Sequence, residues 1–293
     1  MLFPSMIKSE GNFTEILFFE QPIKQSSLVG HYPFLRWLLT QISAGNYLEL
    51  GLHWGETLKN LFHFAETSNL NFNFTGVDNF IGDAHAGKLD SEVYEYCKQI
   101  EIMDSKKVKI LKGDFSEVVP TLPDNKFNLI IIDGYHDYQS VKIEFQSIIK
   151  KITEDGIVIF HDINEKSNGF TTYKFWEEIK KSYKTYEFPH AHGLGILFLN
   201  PQNKIVHIMN KLQENNQMLI FELIGNLYYE INNLKLFKIG FEEVNSKLHN
   251  TELSLIKLSQ ENRLNIEIVN SITTSNSWRL TKIFRKIRQN VKK

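Results

Sequence analysis

Cysteine occurs once in these 293 residues, as Cys97, so neither an intrachain disulfide nor a cysteine-rich metal site can form, and a reducing cytoplasm suits the chain. No run of about 18 apolar residues occurs, and the opening MLFPSMIKSEGNF lacks the apolar core of a signal peptide. The expectation is a cytoplasmic protein that meets a membrane only at its inner surface, if at all. A surplus of charge is missing too, since 33 basic and 34 acidic residues leave a net charge of -1. Seven basic residues and no acid lie between Ser271 and Lys293, so the other 270 residues carry -8. The body therefore has no bulk affinity for nucleic acid, while the tail is cationic. The first glycine turn also lacks the G-x-G-x-x-G spacing of dinucleotide binders.

What is present is a 42% hydrophobic chain, long enough for one core of ~200 residues and an appendage. A helical pattern covers 32–42, and then strands at 47–50, 73–77, 108–111, 128–132 and 157–160 alternate with helices at 56–65, 91–102, 115–121 and 140–152. Runs such as LIII and IVIF are apolar without alternation, which predicts burial on both faces of a parallel sheet covered by helices. A helix over 173–181 and the segments KTYEF and GLGILFL follow, the last two predicted as a terminal antiparallel pair. The expected fold is therefore a doubly wound, mostly parallel seven-stranded α/β sheet with a C-terminal helical extension. Beyond Asn203, Phe241, Val244, Leu248, Thr251, Leu255, Leu258, Asn262, Asn265 and Val269 keep the 3,4 spacing of a heptad seam with three polar positions. That predicts a coiled-coil arm, or a helical arm packed back on the domain. The expected division is 1–30 as an N-terminal extension, 31–200 as the main domain, 201–270 as the arm and 271–293 as a basic tail.

Several residues carry candidate chemistry. Gly51 and Gly55 in YLELGLHWGET let backbone approach a nucleotide-like ligand, the new helix offers unpaired N–H groups, and Glu49 can take hydroxyl or ammonium donors. Asp78 ends the second strand, where an acid can bind ribose hydroxyls; a capping aspartate is the plainer alternative. Asp83 and His85 follow in a glycine-flanked loop, as substrate candidates or as turn residues. Asp114 can accept from an adenine amino group while Phe115 covers the ring, or can simply cap the next helix. Asp133 and Asp162, in IIIDGYHDY and IVIFHDIN, stand at strand ends beside the expected cofactor and offer oxygens to Mg²⁺ or a similar divalent cation, with Asn164 two residues further on as a substrate candidate. His136 can take a proton from a substrate hydroxyl. In a metal-free version Asp133 or His136 hydrogen-bonds the substrate directly. His161 reads as a buried, hydrogen-bonded histidine.

With those residues in place, ELGLHWGET, GVDNFIGDAHAG, LKGDF, FNLIIIDGYHDY, EDGIVIFHDIN and GLGILF, in that order between about Asn46 and Asn200, resemble the class I S-adenosylmethionine-dependent methyltransferases. More narrowly they resemble bacterial sugar and natural-product O-methyltransferases, often encoded with glycosyltransferases. The resemblance implies a Rossmann-like methyltransferase fold and S-adenosyl-L-methionine as cofactor. It assigns Glu49, Gly51 and Gly55 to the methionine end, Asp78 to the ribose, Asp114 and Phe115 to the adenine, Asp133 and Asp162 to a divalent cation, and His136 to the general base. The chain departs from the family pattern at His53, where many members have glycine, and at Asp155, which precedes Gly156 where a second glycine is common. The implied reaction is methyl transfer to a sugar hydroxyl of a bacterial surface glycan or its precursor. Alternatives are a natural-product O-methyltransferase, a non-catalytic scaffold in a glycan assembly complex, and a dehydrogenase on a related fold. SNSWRLTKIFRKIRQ resembles the segment closing many bacterial surface-glycan enzymes, and reads as a basic amphipathic helix able to touch an anionic membrane or another subunit. The expected partners are thus a glycan acceptor, a glycosyltransferase or a second copy bound through the arm, and a membrane surface, with no nucleic acid.

Overall fold

Strands read as buried on both faces do pair on both sides. The computed structural model describes residues 16–17, 22–83, 87–167, 169–274 and 281. After a 3-10 turn at Ser27–His31 come α1 (Tyr32–Ile42), β1 (Ala44–Leu50), α2 (Glu56–Thr67) and β2 (Asn71–Asp78). A two-residue hairpin of β3 (Gly82–Asp83) and β4 (Gly87–Lys88) precedes α3 (Ser91–Met103), β5 (Val108–Lys112), α4 (Phe115–Val118) and β6 (Phe127–Ile132). The chain continues through α5 (Tyr138–Ile148), β7 (Ile152–His161), α6 (Thr172–Ile179), β8 (Lys184–Phe188), β9 (Leu194–Phe198), α7 (Lys204–Glu214) and α8 (Met218–Thr274).

The seven long strands form one sheet in the order β5-β2-β1-β6-β7-β9-β8. The first five run parallel, and β9 lies antiparallel between β7 and β8. The chain steps outward from β1 to β2 and β5, then returns to β6 on the other side of β1. Such a reversal opens a crevice at the carboxyl ends of the strands, where ligands bind in open α/β sheets. Helices cover both faces: α1, α2, α3, α7 and the start of α8 bury apolar side chains with one face, α5 and α6 with the other.

Several expected boundaries differ. Helix α5 stops at Ile148, not 152, because Ile152 already pairs with Phe127 at the start of β7. The expected helix over 115–121 is one α-turn followed by a 3-10 turn containing Pro120. The first compact unit also reaches Leu234, past the expected limit at 200, since Ile205, Val206, Met209, Leu212, Phe221 and Tyr228 are buried in its core. The second unit starts at Lys235. No helix among the described residues is long and apolar enough to cross a membrane. The expected basic helix of the tail falls outside the described residues.

Candidate active site

The carboxyl ends of β1, β2 and β6 are tied together by backbone. The Gly51 N–H donates to the Val77 carbonyl at 3.0 Å, and the Asp133 N–H to the Leu50 carbonyl at 2.9 Å. Gly51 adopts φ +89°, and a Cβ there would run into the Asp133 carbonyl, so both conformation and space require glycine. His53, which stands where many methyltransferases have glycine, also takes a left-handed φ of 49°. Gly55 begins α2 at φ +65° and contributes no side-chain cap, which leaves the first N–H groups of α2 without an intrahelical partner.

The acids take distinct positions around this turn. Glu49 is buried and accepts the Tyr47 hydroxyl at 2.6 Å. Burial pushes its carboxyl well above the usual range despite that bond, and the charges of Asp133 and Asp78 add to the rise. Asp78 accepts the N–H groups of Leu52 at 2.8 Å, His53 at 2.9 Å and Phe80 at 2.7 Å, so its carboxylate fastens the β1–α2 turn to the end of β2. Its neighbour Asn79, which sequence reasoning passed over, donates to Asp114 at 3.0 Å and to the Tyr135 hydroxyl at 3.2 Å. Phe115 lies against Gly134, its ring edge-on to Tyr135 with centroids 6.2 Å apart. Asn79, Asp114, Phe115 and Tyr135 thus form one wall. The position of Asn79 and Tyr135 at strand ends was the available signal for both.

Asp133, His136 and Asp162 converge at the ends of β6 and β7, each offering a ligand atom within 4.8 Å of the others. His136 Nδ1 lies 3.2 Å from Asp162 Oδ2, and its ring stacks on Phe170 with centroids 4.5 Å apart. His161 is deeper: its Nδ1 faces Asp133 at 3.0 Å and Asp162 at 3.2 Å, and its Nε2 faces the Ala191 carbonyl at 3.2 Å. Burial by itself would lower the His161 pKa, but the two carboxylates outweigh it and hold the ring well above the ordinary value, as an imidazolium donating from both nitrogens. Burial pushes Asp162 up in turn, yet His161 and His136 bring it below the usual carboxylate range.

Two segments complete the picture. In the stretch preceding α1, the Ile23 N–H donates to Glu56 at 3.2 Å, Ser26 meets the Thr57 hydroxyl at 3.2 Å, and the Ser27 hydroxyl donates to Asp133 Oδ2 at 2.7 Å. This strap crosses the α2 start, and no sequence pattern signalled it. Asn164, expected near the substrate, is exposed and donates to the Pro189 carbonyl at 3.2 Å, fastening the loop before β9. Asp83 pairs by backbone with Gly87 in the small hairpin, and His85 lies outside the described residues.

A crossover sheet with acids at the ends of its strands and an open helix start beside a glycine turn is a frame that can hold a nucleotide-like ligand. Residues 48–163 match the family model described as a methyltransferase domain. A Sinorhizobium fredii protein, the uncharacterized y4gI, is 30% identical over 173 residues, which are 59% of this chain and 19% of that protein. The chain thus spans about a fifth of the curated relative it matches. Among solved structures, the Podospora anserina methyltransferase PaMTH1 is similar at 11% identity and a TM-score of 0.45, over 59% of this chain and 79% of that one. The O-methyltransferase NovP is similar at 14% identity and a TM-score of 0.45, over 56% and 77%.

The residues present fit S-adenosylmethionine, the cofactor that the sequence resemblance implies. Asp78 and Asp133 place carboxylates around the glycine turn, where Glu49 adds a buried carboxyl able to accept from an ammonium, and the open start of α2 suits the cofactor's own carboxylate. The wall of Asn79, Asp114, Phe115 and Tyr135 offers polar atoms and rings to a nucleoside.

Proposed function

We propose that the chain transfers the methyl group of S-adenosylmethionine to a hydroxyl oxygen, and that the acceptor is a sugar of a bacterial surface glycan or its precursor. The observation that carries the oxygen reading is the pairing of His136 Nδ1 with Asp162, next to Asp133. Donation of Nδ1–H to Asp162 makes Nε2 the basic nitrogen, suited to receive a hydroxyl proton. When bound, S-adenosylmethionine supplies an electrophilic methyl group. Asp133 and Asp162 orient the acceptor hydroxyl, and His136 takes its proton; positioning is the larger part of the task. The sugar assignment rests on the likeness of the ordered motifs and of SNSWRLTKIFRKIRQ to bacterial glycan enzymes.

A divalent cation held by Asp133, His136 and Asp162 is the second reading, favoured by the mutual reach of their ligand atoms. The His161 imidazolium already pairs both carboxylates, which favours the metal-free arrangement.

The test is incubation of the full chain with methyl-labelled cofactor and nucleotide-sugar, lipid-linked or finished glycan acceptors, with and without chelator. Label in a glycan, lost about 10²- to 10⁴-fold in His136→Gln while cofactor-product binding persists, is the expected result. Label only in non-sugar hydroxyl compounds would move the protein to natural-product methylation. Turnover that stops with chelator and returns with Mg²⁺ would establish the second reading.

A further inference from the structure

From Lys235 onward the chain is one unbroken helix to Thr274, and its described side chains from Phe237 to Ser271 are all exposed. Forty residues of helix reach about 60 Å, so this is a long surface, and it is not a polar one. Phe241, Val244, Leu248, Leu255, Leu258 and Val269 are each more than half exposed. Apolar area of this extent on a soluble chain marks a protein contact.

The pattern says which contact. With Phe241, Leu248, Leu255, Asn262 and Val269 at positions a, and Val244, Thr251, Leu258 and Asn265 at positions d, the seam runs through four heptads. Position g of the first heptad is Lys247, and position e of the second is Glu252. In a parallel, in-register pair, g faces the e of the following heptad on the other helix. Lys247 of each copy then meets Glu252 of the other, and the symmetry makes two such pairs. An asparagine at an a position disfavours shifted registers and higher oligomers, because only the in-register dimer lets the two buried amides pair. Asn262 is such a residue. A stripe meant for a different protein would have no need of this self-complementarity.

We propose that the segment from Phe237 to Val269 forms a parallel, in-register, two-stranded coiled coil with a second copy of this chain. The packing is tightest between Phe241 and Leu258, while Asn262 and Asn265 set the register and Ile266 and Ile268 widen the apolar stripe around Val269. The pairing is independent of the acceptor and of the methyl-transfer reading.

Sedimentation equilibrium of the full chain at micromolar concentration tests it. The expected mass is that of two chains; a single chain overturns the proposal. Leu248→Asp on the seam should yield the monomer, whereas Leu253→Asp, equally apolar and exposed but on the outer f position, should leave the dimer intact. Equal sensitivity at both positions would overturn the seam. Lys247→Glu should raise the dissociation constant at least tenfold, and adding Glu252→Lys should restore it. Thr251→Cys, at a d position that leaves both asparagines in place, should give a disulfide-linked dimer on air oxidation. A stable dimer that does not cross-link there would overturn the parallel register.

Discussion

Gly51 follows the last residue of β1, where the backbone of Asp133 leaves no room for a methyl group. Its φ of +89° and the Asp133 carbonyl in the path of any Cβ act together. Gly51→Ala should cost roughly 3 kcal/mol or more, beyond the usual range for a surface substitution, and thermal unfolding should register it as a fall of several degrees. Glu144 makes a different residue-scale prediction. Burial pushes its carboxyl up to about 8 from 4.5, with the Tyr135 N–H offsetting part of the rise. Between those values the folded chain keeps a proton that the unfolded chain has released. Stability therefore falls as pH rises through that window, by about 1.4 kcal/mol per unit from this group alone. Glu144→Gln removes that slope, so its advantage over the parent should grow by roughly 2–4 kcal/mol between pH 5 and pH 8, as measured by denaturant unfolding at each pH.

At the scale of elements, the strap before α1 links the first residues of the domain to the site. The exposed Ser27 hydroxyl reaches a charged partner, Asp133, 106 positions away, and the surrounding water keeps the net value of that bond near 1 kcal/mol. A double-mutant cycle of Ser27→Ala and Asp133→Asn should therefore show a coupling of about that size, while independent effects would mean that the strap does not lean on Asp133 in solution. Residues 1–30 show no period in the sequence, and the contacts that tie Ile23, Ser26 and Ser27 to the site are single polar ones, which leave no trace in a pattern. The strands were legible for the opposite reason. LIII and IVIF are buried on both faces, and continuous apolar runs at that length signal a parallel sheet before any contact is known. The strand-end acids could likewise be read from position, and Asp133, His136 and Asp162 do converge. What could not be read was how each is used. Asp78 turns to three backbone N–H groups, Asn164 turns to the loop before β9, and the His161 ring enters between two carboxylates 28 positions apart or adjacent in sequence. Those outcomes depend on side-chain direction at close range, which strand position leaves open.

At the scale of the whole chain, the change in composition near Asn203 looked like the end of the domain, but the core continues beyond it. Phe221 lies 5.7 Å from Phe34 and 5.6 Å from Trp37, ring centre to ring centre, and the Tyr186 hydroxyl donates to the Val206 carbonyl at 3.0 Å. Arg36 sits over the Tyr228 ring at 5.1 Å. Burying six large apolar side chains from α7 and the start of α8 is worth on the order of 10 kcal/mol, as much as the entire net stability of an ordinary domain. Phe237 to Ser271, by contrast, has no buried side chain to lose. A chain ending at Asn200 should therefore fail to fold. One ending at Leu234 should melt within about 2 °C of the full chain and retain its affinity for the cofactor product, with calorimetry and ligand titration as the measurements. If the shorter chain melted cooperatively, α7 and the first turns of α8 would be an accessory, and the sequence boundary at 200 would be the physical one after all.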